Sequence, residues 1–169
     1  MTPQEFQAVY PHFMAWVVDV LNAHAGRAQP VAAKGFARLP LYFSRQRLAS
    51  AKFVVVDRVP MPPLTALGLS QFAEFEHADN SGVTYLDTYF VKRNRADDEG
   101  LHFHELIHVI QWNLLGPERF LGTYAAGLEK FGYRNSPLEA MAFEAEESFA
   151  SATKAFDAEL LVAEKLRRI

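Results

Sequence analysis

The chain has 169 residues, of which 50% are hydrophobic and 13% aromatic, so it can bury a core and is not a disordered protein. Its length fits a single domain over residues 1–169. A net charge of −3 argues against a nucleic-acid-binding protein that depends on a large basic surface. The sequence has no cysteine, which excludes disulfides and thiolate metal sites, so any metal must be bound by His, Asp or Glu.

The first 26 residues favour an amphipathic helix over a signal peptide. Glu5 comes early, a basic segment is missing, and Asp19 interrupts the apolar run. Thr2 and Glu5 have the spacing of a capping box, and Pro3 suits the first helical position. No stretch has the length and hydropathy of a transmembrane helix, so we expect a cytoplasmic protein without a membrane partner.

Two segments in the first part of the chain are typical of β-strands. One is the β-branched run KFVVVD at 52–57, and the other is VTYLDTYFV at 83–91. The proline-rich connection at 59–64 cannot pair regularly, whereas residues 40–50 favour a short helix. These signals predict a small sheet.

Three helices are predicted after this sheet. Asp97 or Asp98 can cap the first, which ends near Leu115, and a Gly-Pro pair then opens a second over 117–131. The third is predicted as one helix over 137–168, because it has no Gly or Pro after its first residue. Its apolar stripe comprises Leu138, Met141, Ala145, Phe149, Ala152, Phe156, Leu160 and Ala163. The chain as a whole is therefore predicted to be α+β and mostly helical, with a small sheet before these helices.

The first of the three helices contains the motif H-E-x-x-H, within LHFHELIHVIQW. His104 and His108 are one turn apart on one face, so both imidazoles can bind the same metal ion. Glu105 lies about 100° further round the helix, which places its carboxylate beside the metal rather than on it. The pattern predicts two zinc ligands and a catalytic base. The competing explanation is a solvated polar helix face.

A catalytic zinc ion usually has three protein ligands and an open fourth position. Because no histidine follows the motif, the segment YRNSPLEAMAFEAEES must supply a carboxylate, from Glu139, Glu144, Glu146 or Glu147. We favour Glu139, which lies in the first turn of the last helix and can pack against the motif helix; Glu144 is the second choice. Ser136 and Glu139 also match a capping box, in which Glu139 would only satisfy the helix N-terminus.

His104, Glu105 and His108 with a distal glutamate resemble the gluzincin group of zinc metallopeptidases. More narrowly, HELIHVIQW followed by GYRNSPLEAMA resembles small bacterial zincin-like domains that carry HELxHVxQ and an N-P-x-E-x-E-A segment, over about residues 83–145. The resemblance implies a zincin-like fold, a zinc cofactor and Glu139 as the third ligand.

The chain departs from that pattern in two places. Ser136 is inserted between the Asn and the Pro, and Met141 occupies the usual second acidic position. The second departure removes a carboxylate that could support the ligands from behind.

Hydrolysis of a peptide also needs a donor for the oxyanion, and Tyr124, Tyr133 and Arg134 lie between the ligand segments as candidates. Each is also a common core or rim residue. In zincins an edge strand before the active helix can pair with an extended peptide; by sequence order this strand would be 83–91, which could equally be an ordinary sheet strand.

Two further polar residues flank the motif. His102 is turned about 200° from His104, so we expect a capping or surface role for it. Gln111 is expected to form a hydrogen bond between helices.

The sequence thus predicts a zinc-dependent hydrolase, in particular a metallopeptidase that acts on a peptide or protein. The alternatives are a non-catalytic zinc-binding domain and a protein-interaction domain on the same scaffold. Nothing in the sequence indicates an oligomeric state.

Overall fold

A small sheet and a larger set of helices make up the fold of residues 1–151 and 154–169, which are the residues that this computed structural model describes. The helices are α1 (Pro3–His24), α2 (Arg45–Ser50), α3 (Ala73–His77), α4 (Glu99–Leu115), α5 (Pro117–Phe131), α6 (Pro137–Ser151) and α7 (Ala158–Leu166). The strands are β1 (Gln29–Pro30), β2 (Lys52–Val56), β3 (Gly82–Tyr85) and β4 (Thr88–Lys92). All four strands precede α4, so the predicted α+β class, with a small sheet before the motif helix, is confirmed.

The sheet is mixed and has the strand order β1-β2-β4-β3. β2 and β4 pair in parallel, whereas β1 with β2 and β3 with β4 pair antiparallel. The predicted strand at 52–57 corresponds to β2, whose Val54 is fully buried. β3 is an edge strand, and both β3 and β4 lie against α4.

The prediction of one strand over 83–91 is wrong, because this segment is a hairpin of β3 and β4. The turn lies at Leu86 and Asp87, and Leu86 has a φ of 58°. Leucine rarely adopts this left-handed conformation, which glycine or asparagine would normally signal in a tight turn. The turn therefore has no recognisable residue pattern.

α4 is the central element of the fold. Asp98 caps it by accepting a hydrogen bond from the backbone N–H of Leu101 at 3.1 Å, and Gly116 ends it. The helix is buried on all sides from Leu101 to Trp112, because β3, β4, α5, α6 and α7 all pack against it. Histidine and glutamate side chains are seldom buried this deeply without partners. The three histidines and the glutamate of α4 therefore need specific hydrogen-bond or metal partners.

α1 has the capping box that was predicted. Thr2 accepts from the backbone of Glu5, and the Glu5 side chain accepts from the backbone of Thr2. Among the described residues, no helix is both long enough and apolar enough to cross a membrane. The cytoplasmic location stays a prediction.

The single helix predicted over 137–168 is wrong, because α6 ends at Ser151 and α7 begins at Ala158. Asp157 caps α7 by accepting from the backbone N–H of Leu160 at 3.0 Å. An aspartate followed by an apolar run is a helix start signal, and here it starts a new helix although no Gly or Pro separates the two. Ala152 of the predicted stripe lies outside the described residues.

Candidate metal centre

Three buried donor groups converge where α4 packs against the start of α6. His104 and His108 point their Nε2 atoms at each other across 3.2 Å. Glu139 places Oε2 at 3.4 Å from the first of these nitrogens and Oε1 at 3.4 Å from the second. Around a tetrahedral divalent ion with bonds of about 2.0–2.1 Å, ligand atoms lie about 3.3–3.4 Å apart. The three residues are therefore spaced so that they could hold one metal ion.

A hydrogen bond behind His108 determines which ring nitrogen is free. His108 Nδ1 lies 2.7 Å from Gln111 Oε1, while Gln111 Nε2 donates to the carbonyl oxygen of Leu138 at 3.0 Å. Because an amide oxygen can only accept, Nδ1 carries the proton and Nε2 presents a lone pair to the site. That lone pair faces His104 Nε2, so either a proton or a metal cation has to lie between the two rings.

Glu139 is fixed through one carboxylate oxygen and leaves the other open. Tyr124 donates its hydroxyl to Oε1 at 2.6 Å, whereas Oε2 is buried and has no hydrogen-bond partner among the described residues. Ser136 Oγ also has no hydrogen-bond partner among the described residues. The capping box that Ser136 and Glu139 could have formed at the start of α6 is therefore not made through the Ser136 side chain. A buried carboxylate oxygen without a donor is costly unless a cation binds it.

Close packing of α5 on the start of α6 makes the hydrogen bond from Tyr124 to Glu139 possible. A Cβ at Gly127 would lie 2.9 Å from both Ser136 Cβ and Pro137 Cδ, so only glycine fits there without a shift. This contact brings Tyr124, on the same helix, within reach of Glu139.

The charges around the site favour a cation. Burial lowers the pKa of His104, but the nearby carboxylates of Glu139 and Glu146 outweigh it and raise this pKa to about 10. Burial likewise opposes ionisation of Glu139, yet the two histidine rings beside its carboxylate outweigh burial and hold the pKa of Glu139 well below its usual range. Without a metal, His104 therefore carries a proton and a positive charge, and a bound metal ion would replace this proton.

Glu105 lies beside the histidines with its carboxylate against β3. Thr84 Oγ1 donates to Oε2 at 2.6 Å, and a Cβ at Gly82 would lie 2.3 Å from Oε1. Burial raises the pKa of Glu105 above its ordinary value, although the charges of His104 and His108 oppose this. A carboxylate whose pKa is raised accepts a proton more readily than an ordinary one, which suits a catalytic base.

Glu146 supports the site from behind. Its Oε2 lies 3.0 Å from His104 Nδ1, in the position where metal-binding histidines generally have a hydrogen-bond acceptor. The sequence alone indicates Glu146 only as a possible ligand. The signal that could have revealed its position is its spacing, since it follows Glu139 by seven residues and shares its helix face. It supplies a supporting carboxylate despite the departure at Met141.

The three candidate substrate contacts, Tyr124, Tyr133 and Arg134, lie in different surroundings. The Tyr124 hydroxyl is engaged with Glu139, so it positions that carboxylate. Tyr133 lies beside the site, where burial and the nearby charge of Glu139 raise its pKa well above its ordinary value and keep the phenol protonated. Arg134 is exposed at the rim, with its guanidinium 4.5 Å from the ring centre of Phe143.

Two other sequence expectations need correction. Glu144 lies on the outer side of α6 and forms an ion pair with Lys165, away from the histidines. His102 is fully buried, with Tyr89 Oη 2.7 Å from Nδ1 and the carbonyl oxygen of Ala96 3.0 Å from Nε2. Burial lowers the pKa of His102 to about 4. The surface role expected for it is wrong because α4 has no exposed face there.

Comparison of the chain with protein-family models, curated proteins and solved structures finds no match. Support for a metal centre therefore comes from the side-chain geometry of the site itself.

Proposed function

We propose that the chain is a zinc-dependent hydrolase that cleaves amide bonds with the chemistry of a gluzincin-type metallopeptidase. The observation that carries this proposal is the convergence of His104, His108 and Glu139 in one buried group with metal-ligand spacing, next to Glu105. Two neutral imidazoles and one carboxylate are a common ligand set for catalytic zinc.

Zinc, when bound, would act as a Lewis acid that lowers the pKa of water towards about 7. The side chains of the protein have the remaining tasks. Glu105, held by Thr84, takes a proton from the attacking water and passes it to the departing amine. Tyr124 keeps Glu139 in position, and Glu146 does the same for His104.

Metal analysis of protein purified without added metal, followed by digestion of a peptide library, tests this proposal. We expect stoichiometric zinc and measurable hydrolysis. Glu105→Gln should retain zinc and lose turnover, because an amide cannot accept the proton. Glu164→Gln, an exposed carboxylate on α7, is the matched control and should retain both.

Three outcomes would count against parts of the proposal. Loss of zinc from Glu105→Gln would mean that ligand and base are wrongly assigned. Zinc without hydrolysis in the unmodified protein would favour a non-catalytic metal-binding domain. A protein without metal, whose stability does not respond to zinc or chelator, would favour an interaction domain.

A further inference from the structure

An apolar cavity opens beside the metal centre. Glu105, His108 and Glu139 form part of its wall, so the cavity and the centre are continuous. Side chains from α1, α5, β3 and the connection between β2 and β3 form most of the remainder, together with Met1, Trp112 and Tyr133. The cavity has a volume of about 110 Å³ and is partly open to solvent, so it has room for a short hydrocarbon chain.

Away from the metal centre, this wall is mostly hydrocarbon. Two of the polar side chains that reach it are already engaged. The Tyr85 hydroxyl donates to the carbonyl oxygen of Pro60 at 2.8 Å, and Trp112 Nε1 donates to the carbonyl oxygen of Thr84 at 3.1 Å. The apolar part includes Val9, Phe13, Leu69, Phe72, Leu121 and Leu128.

An extended peptide fits this cavity poorly. Each peptide group that loses water without finding a partner costs about 1–3 kcal/mol. The register of the hairpin directs the free backbone groups of Gly82 and Thr84 towards the open edge of β3. The Thr84 carbonyl already accepts a hydrogen bond from Trp112 Nε1, and the Glu105 side chain lies against Gly82. β3 therefore offers a peptide only incomplete backbone pairing, whereas a hydrocarbon chain requires none.

We propose that the substrate of this centre is an amide that carries a hydrocarbon chain. The chain lies in the cavity, and the amide carbonyl lies beside Glu105 and Glu139. This inference rests on the proposed hydrolase function and specifies its substrate class. Water adds its oxygen to the carbonyl carbon, the carbon–nitrogen bond breaks, and both protons of the water reach the nitrogen, the first through Glu105. The products are a carboxylate and an ammonium ion.

Binding of unbranched 1-alkanols, from butanol to decanol, tests the cavity without requiring turnover. We expect the Kd measured by calorimetry to fall about fourfold for each added methylene, which corresponds to about 0.8 kcal/mol, until the chain outgrows the cavity. A Kd that is independent of chain length would overturn the inference.

A pair of variants on α5 locates the binding. Ala125 lines the cavity, whereas its neighbour Ala126 is exposed. Ala125→Phe should lose most of the chain-length dependence, and Ala126→Phe should keep it, with circular dichroism to verify that both variants fold. Equal chain-length dependence in both variants would place the alkanol elsewhere and overturn the inference.

Hydrolysis of an acyl p-nitroanilide series separates this inference from the proposed function. If the hydrolase function and the hydrocarbon-chain substrate are both correct, we expect kcat/KM to rise with the length of the acyl chain. Hydrolysis of peptides or short anilides with no gain from chain length would overturn the inference and leave the hydrolase standing. Chain-length-dependent alkanol binding in a protein without metal or hydrolysis would overturn the proposed function and, with it, the substrate.

Discussion

Replacing Glu146 with Gln tests the support behind the metal centre without needing a substrate. The change removes the charge 3.0 Å from His104 Nδ1 but keeps the shape and an acceptor oxygen. Loss of such a partner typically weakens metal binding by about 10–100-fold, or roughly 1.4–2.7 kcal/mol. The Glu146 side chain is 32% exposed, which screens its charge, so we expect the lower end, about tenfold.

Competition with a chromophoric zinc chelator measures this change in affinity. Glu147→Gln is the matched control, because Glu147 is the next residue on α6 and is exposed. We expect the control to bind zinc as tightly as the unmodified protein. Equal affinities in the two variants would refute the reasoning, since the negative charge of Glu146 beside His104 would then contribute nothing to metal binding.

Three further predictions concern catalysis, protonation and stability. Gly82→Ala should keep the metal but lower kcat/KM about 100-fold, because moving the Glu105 carboxylate from 2.3 Å to an ordinary 3.4 Å contact displaces it by about 1 Å. Gly26→Ala, whose Cβ would meet no described atom within 4 Å, is its control, and equal rates in the two would contradict it. Since the pKa of metal-free His104 is about 10, this imidazole is protonated at pH 7. Zinc binding should therefore release about one proton, and the affinity for zinc should increase about tenfold for each unit by which the pH is raised. Calorimetry that shows no proton release would count against this. Tyr89→Phe removes the 2.7 Å partner of a buried imidazole, so urea unfolding should show a loss of about 1–3 kcal/mol, and an unchanged free energy of unfolding would be inconsistent with it.

Local signals in the sequence were sufficient where a cap or a break lies next to a periodic segment. The Asp98 cap and the Gly-Pro break predicted α4 and α5, and Thr2 with Glu5 predicted the start of α1. The same signals failed at Leu86, where a leucine occupies a turn conformation that its residue type does not indicate. These elements are encoded by neighbouring residues, which is why most of the helices were predictable.

The metal centre was only partly predictable, because its members come from distant parts of the chain. His104, Glu105 and His108 are related by helix geometry, and this geometry follows from their spacing. The positions of Tyr124 and Glu146 depend on how α5 and α6 pack against α4, and one sequence does not encode that packing in a readable pattern. Glu139 could be ranked first among four glutamates, but only the packing brings it to the histidines.

X-ray absorption at the zinc edge, on protein purified without added metal, tests the central claim most directly. The account predicts bound zinc with nitrogen and oxygen ligands at about 2.0–2.1 Å and the scattering of two imidazole rings. The spectrum should be the same in Glu105→Gln and lose an imidazole in His108→Ala. Zinc without imidazole ligands, or a protein that binds no divalent metal, would contradict it.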